Sequence, residues 1–120
     1  MTKILIIEDD ALIQKTIELK LKKEGYVVVC ANDGREGLEK LNEEIPDIVL
    51  TDLMLPFSSG LEIVTAVKAI SGINIKVIVL SSMGQEHVVE EAFSLGADDY
   101  ITKPFSLNEL TLRLKRISKP

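Results

Sequence analysis

The sequence predicts a doubly wound α/β domain: a five-stranded parallel sheet with helices on both faces. Three observations carry that reading. Five short apolar runs, each of strand length, recur along the chain, and the segments between them repeat their apolar residues at helical spacing. The runs are continuous rather than alternating, so both faces of the sheet are expected to be covered. The intervening segments are long enough for crossover helices, which makes the units right-handed βαβ. For five strands the order 2-1-3-4-5 is the common one, and it puts the switch point between the first and third strands.

Each element has its own warrant. Residues 3–8 form the first strand, followed by a helix from Asp10 to about Glu24. The rows Ile13, Ile17, Leu21 and Leu12, Thr16, Leu19 give that helix an apolar face, and Gly25 ends it. Residues 26–30 are the second strand. Asp33-Gly34 opens a helix that turns Leu38 and Leu41 inward, and Pro46 closes the connection after it. Residues 47–51 are the third strand and 56–60 a loop. Ser59-x-x-Glu62 is a capping box for a helix carrying Ile63, Val64, Val67 and Ile70. Residues 76–80 are the fourth strand, and 85–95 a helix with Val88, Val89, Ala92 and Phe93 on its apolar side. Residues 99–102 make a short fifth strand. Ser106-x-x-Glu109 is a second capping box, with Phe105 and Leu110 as its hydrophobic staple; Leu107, Leu110, Leu114 and Ile117 then repeat at helical spacing.

Composition narrows the class. The 120 residues suffice for one domain over 1–120, and 46% hydrophobic content is too high for disorder. A net charge of -5 argues against nucleic-acid binding by this domain. The single cysteine, Cys30, excludes an internal disulfide and reads as a small buried hydrophobe. No apolar run approaches the roughly 20 residues of a membrane span. The first strand starts almost at Met1 with no leader before it, so a cytoplasmic location is expected.

The strand ends carry the chemistry. Glu8-Asp9-Asp10 ends the first run, Asp52 the third, Ser81-Ser82 the fourth and Lys103-Pro104 the fifth. In a parallel sheet all four ends lie on one edge, where ligands bind. Carboxylates about 6 Å apart repel by roughly 3 kcal/mol at an effective dielectric near 20, so a cluster of them calls for a cation. Hard oxygen donors select Mg²⁺ or Mn²⁺. Asp10 suits a helix cap better than a metal site. Lys103 can pair with the acids and supply positive charge to an incoming phosphoryl oxygen, and Ser81 adds a rotatable donor. Ser82 is small enough to leave the approach open. His87, on a helix among polar neighbours, reads as solvated.

The segments KILIIEDD, DIVLTDLMLP, VIVLSS and GADDYITKPFS, in order, make the chain resemble the receiver domain of two-component response regulators, whose fold is flavodoxin-like. The resemblance implies a phosphorylation-activated switch. Asp52 is then the phosphoacceptor, and Glu8 and Asp9 are the acidic pair, with Asp9 a direct Mg²⁺ ligand. The Met54 backbone carbonyl is a further ligand, Lys103 the phosphate-binding lysine, and Ser81 and Tyr100 the switch pair. It also implies a cis peptide before Pro104. The implied partners are a sensor histidine kinase or a phosphotransfer protein, and a changed surface on the fourth helix, fifth strand and fifth helix would control the output. The closing segment looks most like the winged-helix transcription-factor subfamily. That likeness implies a C-terminal DNA-binding output domain outside this chain and a weak homodimer on activation. Asp98, Asp99, Glu109, Arg113 and Lys115 would form its charged face. Val89 departs from the subfamily by replacing a basic partner for Glu109, and Ser58-Ser59 replaces an acid before Gly60.

Three rivals share parts of the pattern. A flavodoxin-type FMN carrier needs a hydroxyl- and glycine-rich loop after the first strand, where Glu8-Asp9-Asp10 would repel phosphate. A haloacid-dehalogenase-type phosphatase needs a second acid two residues past its nucleophile, where Met54 stands. A pseudo-receiver that binds partners without phosphorylation would have no use for the full acid, hydroxyl and lysine set.

Overall fold

The computed structural model describes residues 1–118. Five strands, β1 (Lys3–Ile7), β2 (Val27–Ala31), β3 (Ile48–Asp52), β4 (Lys76–Ser81) and β5 (Asp99–Thr102), alternate with five helices. The helices are α1 (Ala11–Lys23), α2 (Gly34–Glu44), α3 (Gly60–Lys68), α4 (Glu86–Leu95) and α5 (Leu107–Ser118). All strand pairs are parallel and the order is β2-β1-β3-β4-β5, as the sequence predicts.

Alternate residues of each strand face opposite sides of the sheet. Leu5, Ile7, Val49, Val77 and Val79 enter one core, closed by Leu41, Ile63, Val64, Val67 and Ala92 of α2, α3 and α4. Ile4, Ile6, Ile48, Leu50, Ile78 and Leu80 enter the other, closed by Ile17, Leu21, Leu110 and Leu114 of α1 and α5. Two buried faces require continuous apolar runs, which is why alternation is missing from the sequence.

Several boundaries move by one residue. Asp52 and Ser81 are the last residues of β3 and β4, paired with Leu80 and Thr102, whereas Glu8 lies just beyond β1. Asp10 is the N-cap of α1, accepting from the amides of Leu12 and Ile13 at 3.0 and 3.1 Å. The Ser59–Glu62 capping box is complete. At α5 only half of the second box forms: the Glu109 amide donates to Ser106 Oγ at 3.0 Å, but the Glu109 carboxylate turns to Arg113 instead. The second row expected on α1 is also corrected. Leu12 and Leu19 are 76% and 58% exposed, because the sheet and α5 together cover a single stripe, Ile13, Ile17 and Leu21. Cys30 is partly buried against the α1–α5 core, and burial pushes its thiol up to about 11. The peptide before Pro104 is cis.

Candidate functional site

The site forms where strand order reverses. β1 and β3 are neighbours, with β2 continuing on one side and β4 on the other, so the loops leaving β1 and β3 diverge to opposite faces. Glu8, Asp9 and Asp52 line the resulting cleft, with one ligand oxygen from each lying within 4.8 Å of the others. Glu8 and Asp52 are buried and Asp9 is exposed.

Lys103 reaches this cluster from the loop after β5. Its Nζ donates to Glu8 Oε1 and to Asp52 Oδ2, both at 2.7 Å. Glu8 Oε2 accepts the Asp10 amide at 3.1 Å, so this carboxylate is held at both oxygens. Burial raises the Glu8 pKa, and the bonds from Lys103 and Asp10 offset only part of that rise, while the charge of Asp52 adds to it. At Lys103 burial works to lower the pKa, but the bonds to Asp52 and Glu8 outweigh it and the ammonium is held above its ordinary value. Three carboxylates thus cluster in a half-buried pocket with one ammonium, which pairs with two of them. The excess negative charge and the hard, closely spaced oxygens fit a small divalent cation.

Around the cluster, the other expected site residues divide into two groups. Ser81 is buried at the end of β4, and its carbonyl accepts the Lys103 amide at 2.7 Å. Ser81, Ser82 and Tyr100 line one groove of about 410 Å³ between α4 and β5. Tyr100 points outward, 40% exposed, with its ring edge-on to Phe93 at 5.9 Å. Val89 is buried at the same groove. Met54 lies on the exposed loop two residues past Asp52. His87 is exposed on α4, as expected.

The charged residues of the fifth strand and fifth helix do not form one group. Asp99 accepts from Arg113 at 2.8 Å and from Arg116 at 2.7 Å, and Arg113 also meets Glu109 at 3.3 Å. Lys115 is exposed on α5 and enters none of these pairs. Asp98 stands apart. Its carboxylate takes the Lys68 ammonium of α3 at 2.9 Å and the Val77 amide at 2.8 Å, so it braces the fold beneath α3.

Two contributors escaped the sequence reading. Gln14 Nε2 lies 3.0 Å from the carbonyls of Glu8 and Ala31 and from Asn32 Oδ1, which ties the β1–α1 loop to β2. Gln85 Oε1 accepts the Ser82 amide at 2.7 Å and orders the β4–α4 loop. Nothing in the spacing of either glutamine marks it; Gln14 could have been suspected only from its place one turn after the acids.

A five-stranded flavodoxin-like sheet with a lysine-bridged acidic pocket at its switch point defines a class of α/β domains. Residues 4–115 match the response regulator receiver domain family, and the chain belongs to that family. It is similar to the receiver domain of the Francisella response regulator 1452, at 32% identity and a TM-score of 0.87, over 98% of this chain and 96% of that one. It is similar also to the chemotaxis response regulator CheY4 of Vibrio cholerae, at 30% identity and 0.90, over 98% of both chains. NtrX from Brucella abortus matches at 28% identity and 0.88, over 97% of this chain but 27% of that longer one. Receiver domains are switches in two-component signalling rather than enzymes turning over an external substrate, and they bind Mg²⁺ in an acidic pocket. Among the described residues, no helix is long and apolar enough to cross a membrane.

Proposed function

We propose that this domain accepts a phosphoryl group on Asp52 from the phosphohistidine of a sensor kinase or phosphotransfer protein and signals through a changed α4–β5–α5 surface. The observation that carries the reading is the Lys103 ammonium held 2.7 Å from both Glu8 and Asp52, beside an exposed Asp9. Asp52 is the carboxylate at a strand end that meets both the acidic pair and the lysine.

In this mechanism an Asp52 carboxylate oxygen attacks phosphorus in line, the phosphorus–nitrogen bond of the donor breaks, and the imidazole leaves with a proton. Asp9 and Asp52, with Glu8 and the Met54 carbonyl, would hold Mg²⁺, or Mn²⁺ in its place. The ion supplies charge neutralisation at the phosphoryl oxygens. Lys103 moves from its carboxylate partners toward a phosphoryl oxygen, and the ordered loop beneath it supplies positioning. Ser81 and Ser82 face the same oxygens as donors. The acyl phosphate adds charge and acceptor oxygens that draw the Ser81 hydroxyl inward, and Tyr100 follows into the space beside it. The shared groove of Ser81, Tyr100 and Val89 supports this coupling, because a shift in one wall changes the room available to the ring. Phosphorylation shifts a population between two states of this face. The longer chain of NtrX supports an output domain beyond this one. Cytoplasmic location follows from the kinase partner.

The test is acceptance of phosphate from acetyl phosphate with Mg²⁺, followed by intact mass. The wild type is expected to gain one hydroxylamine-sensitive phosphoryl group and Asp52→Asn none. A labile phosphate on Asp52→Asn at the wild-type rate would sink the assignment.

A further inference from the structure

The loop between β3 and α3 carries a feature that neither core packing nor the pocket chemistry explains. Phe57 has φ +73°, a left-handed value that bulky side chains avoid. The Ser58 amide donates across it to the Pro56 carbonyl at 2.9 Å. An i→i+2 bond around a residue of positive φ is the rare and strained form of γ-turn. Glycine would fit there without penalty. The phenylalanine gains little from burial, since it is 70% exposed.

What Phe57 does gain is a cation. The guanidinium of Arg35, in the first turn of α2, lies 4.4 Å from the centre of its ring. An arginine at that distance over an aromatic face is attracted by the ring quadrupole. The contact reinforces a close approach of the same segments. The Gly34 amide donates to the Pro56 carbonyl at 3.1 Å, and a Cβ on Gly34 would lie 2.0 Å from the Ser58 carbonyl oxygen. At the other end of the loop, the Gly60 amide donates to the Leu53 carbonyl at 2.9 Å. A Cβ on Gly60 would sit 2.4 Å from the Asp52 carbonyl oxygen. The Gly60 contact closes the two ends of the loop on each other, and the Gly34 contact seats Pro56 and Ser58, either side of Phe57, on α2; both approaches are ones that only glycine permits. The loop's exposed crest is pinned by Arg35 on Phe57. Met54 sits between these anchors.

We infer that Arg35 and Phe57 form a clamp whose task is to fix the loop carrying the Met54 carbonyl against the acidic pocket, making both of them positioning residues for the metal. The clamp rests on the reading of Glu8, Asp9, Asp52 and Met54 as the Mg²⁺ site. Strain is tolerated at Phe57 because an aromatic ring there holds the crest on α2, which glycine could not do. Metal binding and fold stability should then respond in different directions to substitutions at Phe57.

The experiment titrates the whole chain with Mn²⁺ by electron paramagnetic resonance and with Mg²⁺ by the shift of the Met54 and Leu55 amides. Arg35→Ala and Phe57→Gly are expected to weaken both ions on the order of tenfold, the lower end of what lost support around a metal ligand does. Phe57→Tyr, which keeps the ring, is expected to restore affinity to about the wild-type value, since the quadrupole is retained. Phe57→Gly should hold or raise the thermal midpoint, because glycine takes positive φ freely. A merely structural contact would lose stability and affinity together. Asp9→Asn is the control for the pocket. If Asp9→Asn leaves the metal affinity unchanged, the pocket reading fails and the clamp with it. If Asp9→Asn weakens the metal while Arg35→Ala and Phe57→Gly bind it as the wild type does, the clamp alone is overturned.

Discussion

The two edges of the sheet treat their acids in opposite ways. At the amino-terminal edge each carboxylate is satisfied. Asp98 takes Lys68, the Val77 amide and, at 4.0 Å, Lys76. Asp47 accepts the Lys3 amide at 2.8 Å, and Asp99 takes two arginines. At the carboxyl-terminal edge Glu8 and Asp52 share one ammonium, and Asp9 stands within 4.8 Å of them outside that pairing. Acids at about 5 Å repel by roughly 3 kcal/mol at an effective dielectric near 20, so this edge stores unfavourable energy that the other does not. A saturated acid can only brace the fold, whereas an unsaturated cluster responds to an added cation or phosphoryl group. Each edge holds both buried and exposed acids, Asp99 and Asp47 at one, Glu8 and Asp9 at the other. The difference lies in the ratio of acids to donors, and it marks the edge where function resides.

The largest expected contrast comes from removing one partner at each edge. Lys103→Ala leaves three acids with no cation. It should destabilise the metal-free domain by about 2–4 kcal/mol, the range for a broken buried pair reduced for partial exposure. Asp98→Ala leaves the Val77 amide without its acceptor and Lys68 with the Ile75 carbonyl in place of a counter-ion, and should cost about 1–3 kcal/mol. Mg²⁺ should stabilise Asp98→Ala only as much as it does the wild type, and Lys103→Ala by more, recovering part of that variant's loss. Urea denaturation of both variants with and without Mg²⁺ measures this. Equal rescue of the two would erase the distinction between the edges.

A second contrast lies within the acidic run itself. Free Mg²⁺ at ten times its dissociation constant should stabilise the wild type by about 1.4 kcal/mol, the linkage value for a ligand of the folded state. Asp9→Asn should lose most of that gain. Asp10→Asn should keep it, because Asp10 is engaged as the cap of α1 and asparagine caps equally well. Melting curves across a Mg²⁺ series decide between the two positions. If the two variants behave alike, the metal ligand has been placed one residue wrong.

The same edge should betray itself in pH. Because the Glu8 pKa is raised in the fold, the folded state binds that proton more tightly than the unfolded chain does. Its stabilising contribution is present at low pH and fades as pH rises from the ordinary glutamate value, 4.5, through the raised one. That is the reverse of a carboxylate whose pKa is depressed. In metal-free protein the stability of Glu8→Gln relative to wild type should therefore climb with pH across that window and then level off. A difference that shrinks with rising pH would mean that Lys103 outweighs burial at Glu8.

Much of this architecture was legible in the sequence, and the reason is geometric. Five apolar runs in a parallel sheet bring their carboxyl ends to one edge, so the residue that ends each run is placed by topology alone. Asp52, Ser81 and Lys103 were found in that way, with Glu8 and Asp9. Contacts that depend on side-chain reach across distant elements were not legible. Asp98 and Lys68 are thirty residues apart, and no periodicity links them. Gln14 and Arg35 act through the direction of a single side chain. The strand ends missed by one residue because hydrogen-bonded pairing continues past the last apolar residue, into Asp52 and Ser81. Leu12 and Leu19 misled because spacing names the rows of a helix but not how wide a stripe its neighbours cover.

The smallest effect concerns the α4–β5–α5 face and again turns on saturation. Asp99 already holds Arg113 and Arg116 within the monomer, and Glu109 shares Arg113. An intermolecular pair made by these groups must exchange for an internal one, so its net gain is small. Asp98 is committed to Lys68 and Val77 and is withdrawn from any such face, while Val89 is buried and offers no charge. Exposed ion pairs contribute about 0–1 kcal/mol each, and exchange reduces even that. The unphosphorylated domain is therefore expected to be a monomer, and the domain activated with beryllofluoride at most a weak dimer. Its association should fall as salt rises, because exposed charges are screened over about 8–10 Å at ordinary ionic strength. Light scattering over a concentration series, with and without beryllofluoride and at two salt levels, reads this out. A tight dimer in the unactivated protein, indifferent to salt, would mean that an apolar surface does the assembling. The exposed Leu112 of α5, beside the saturated acids, would then be the first residue to replace.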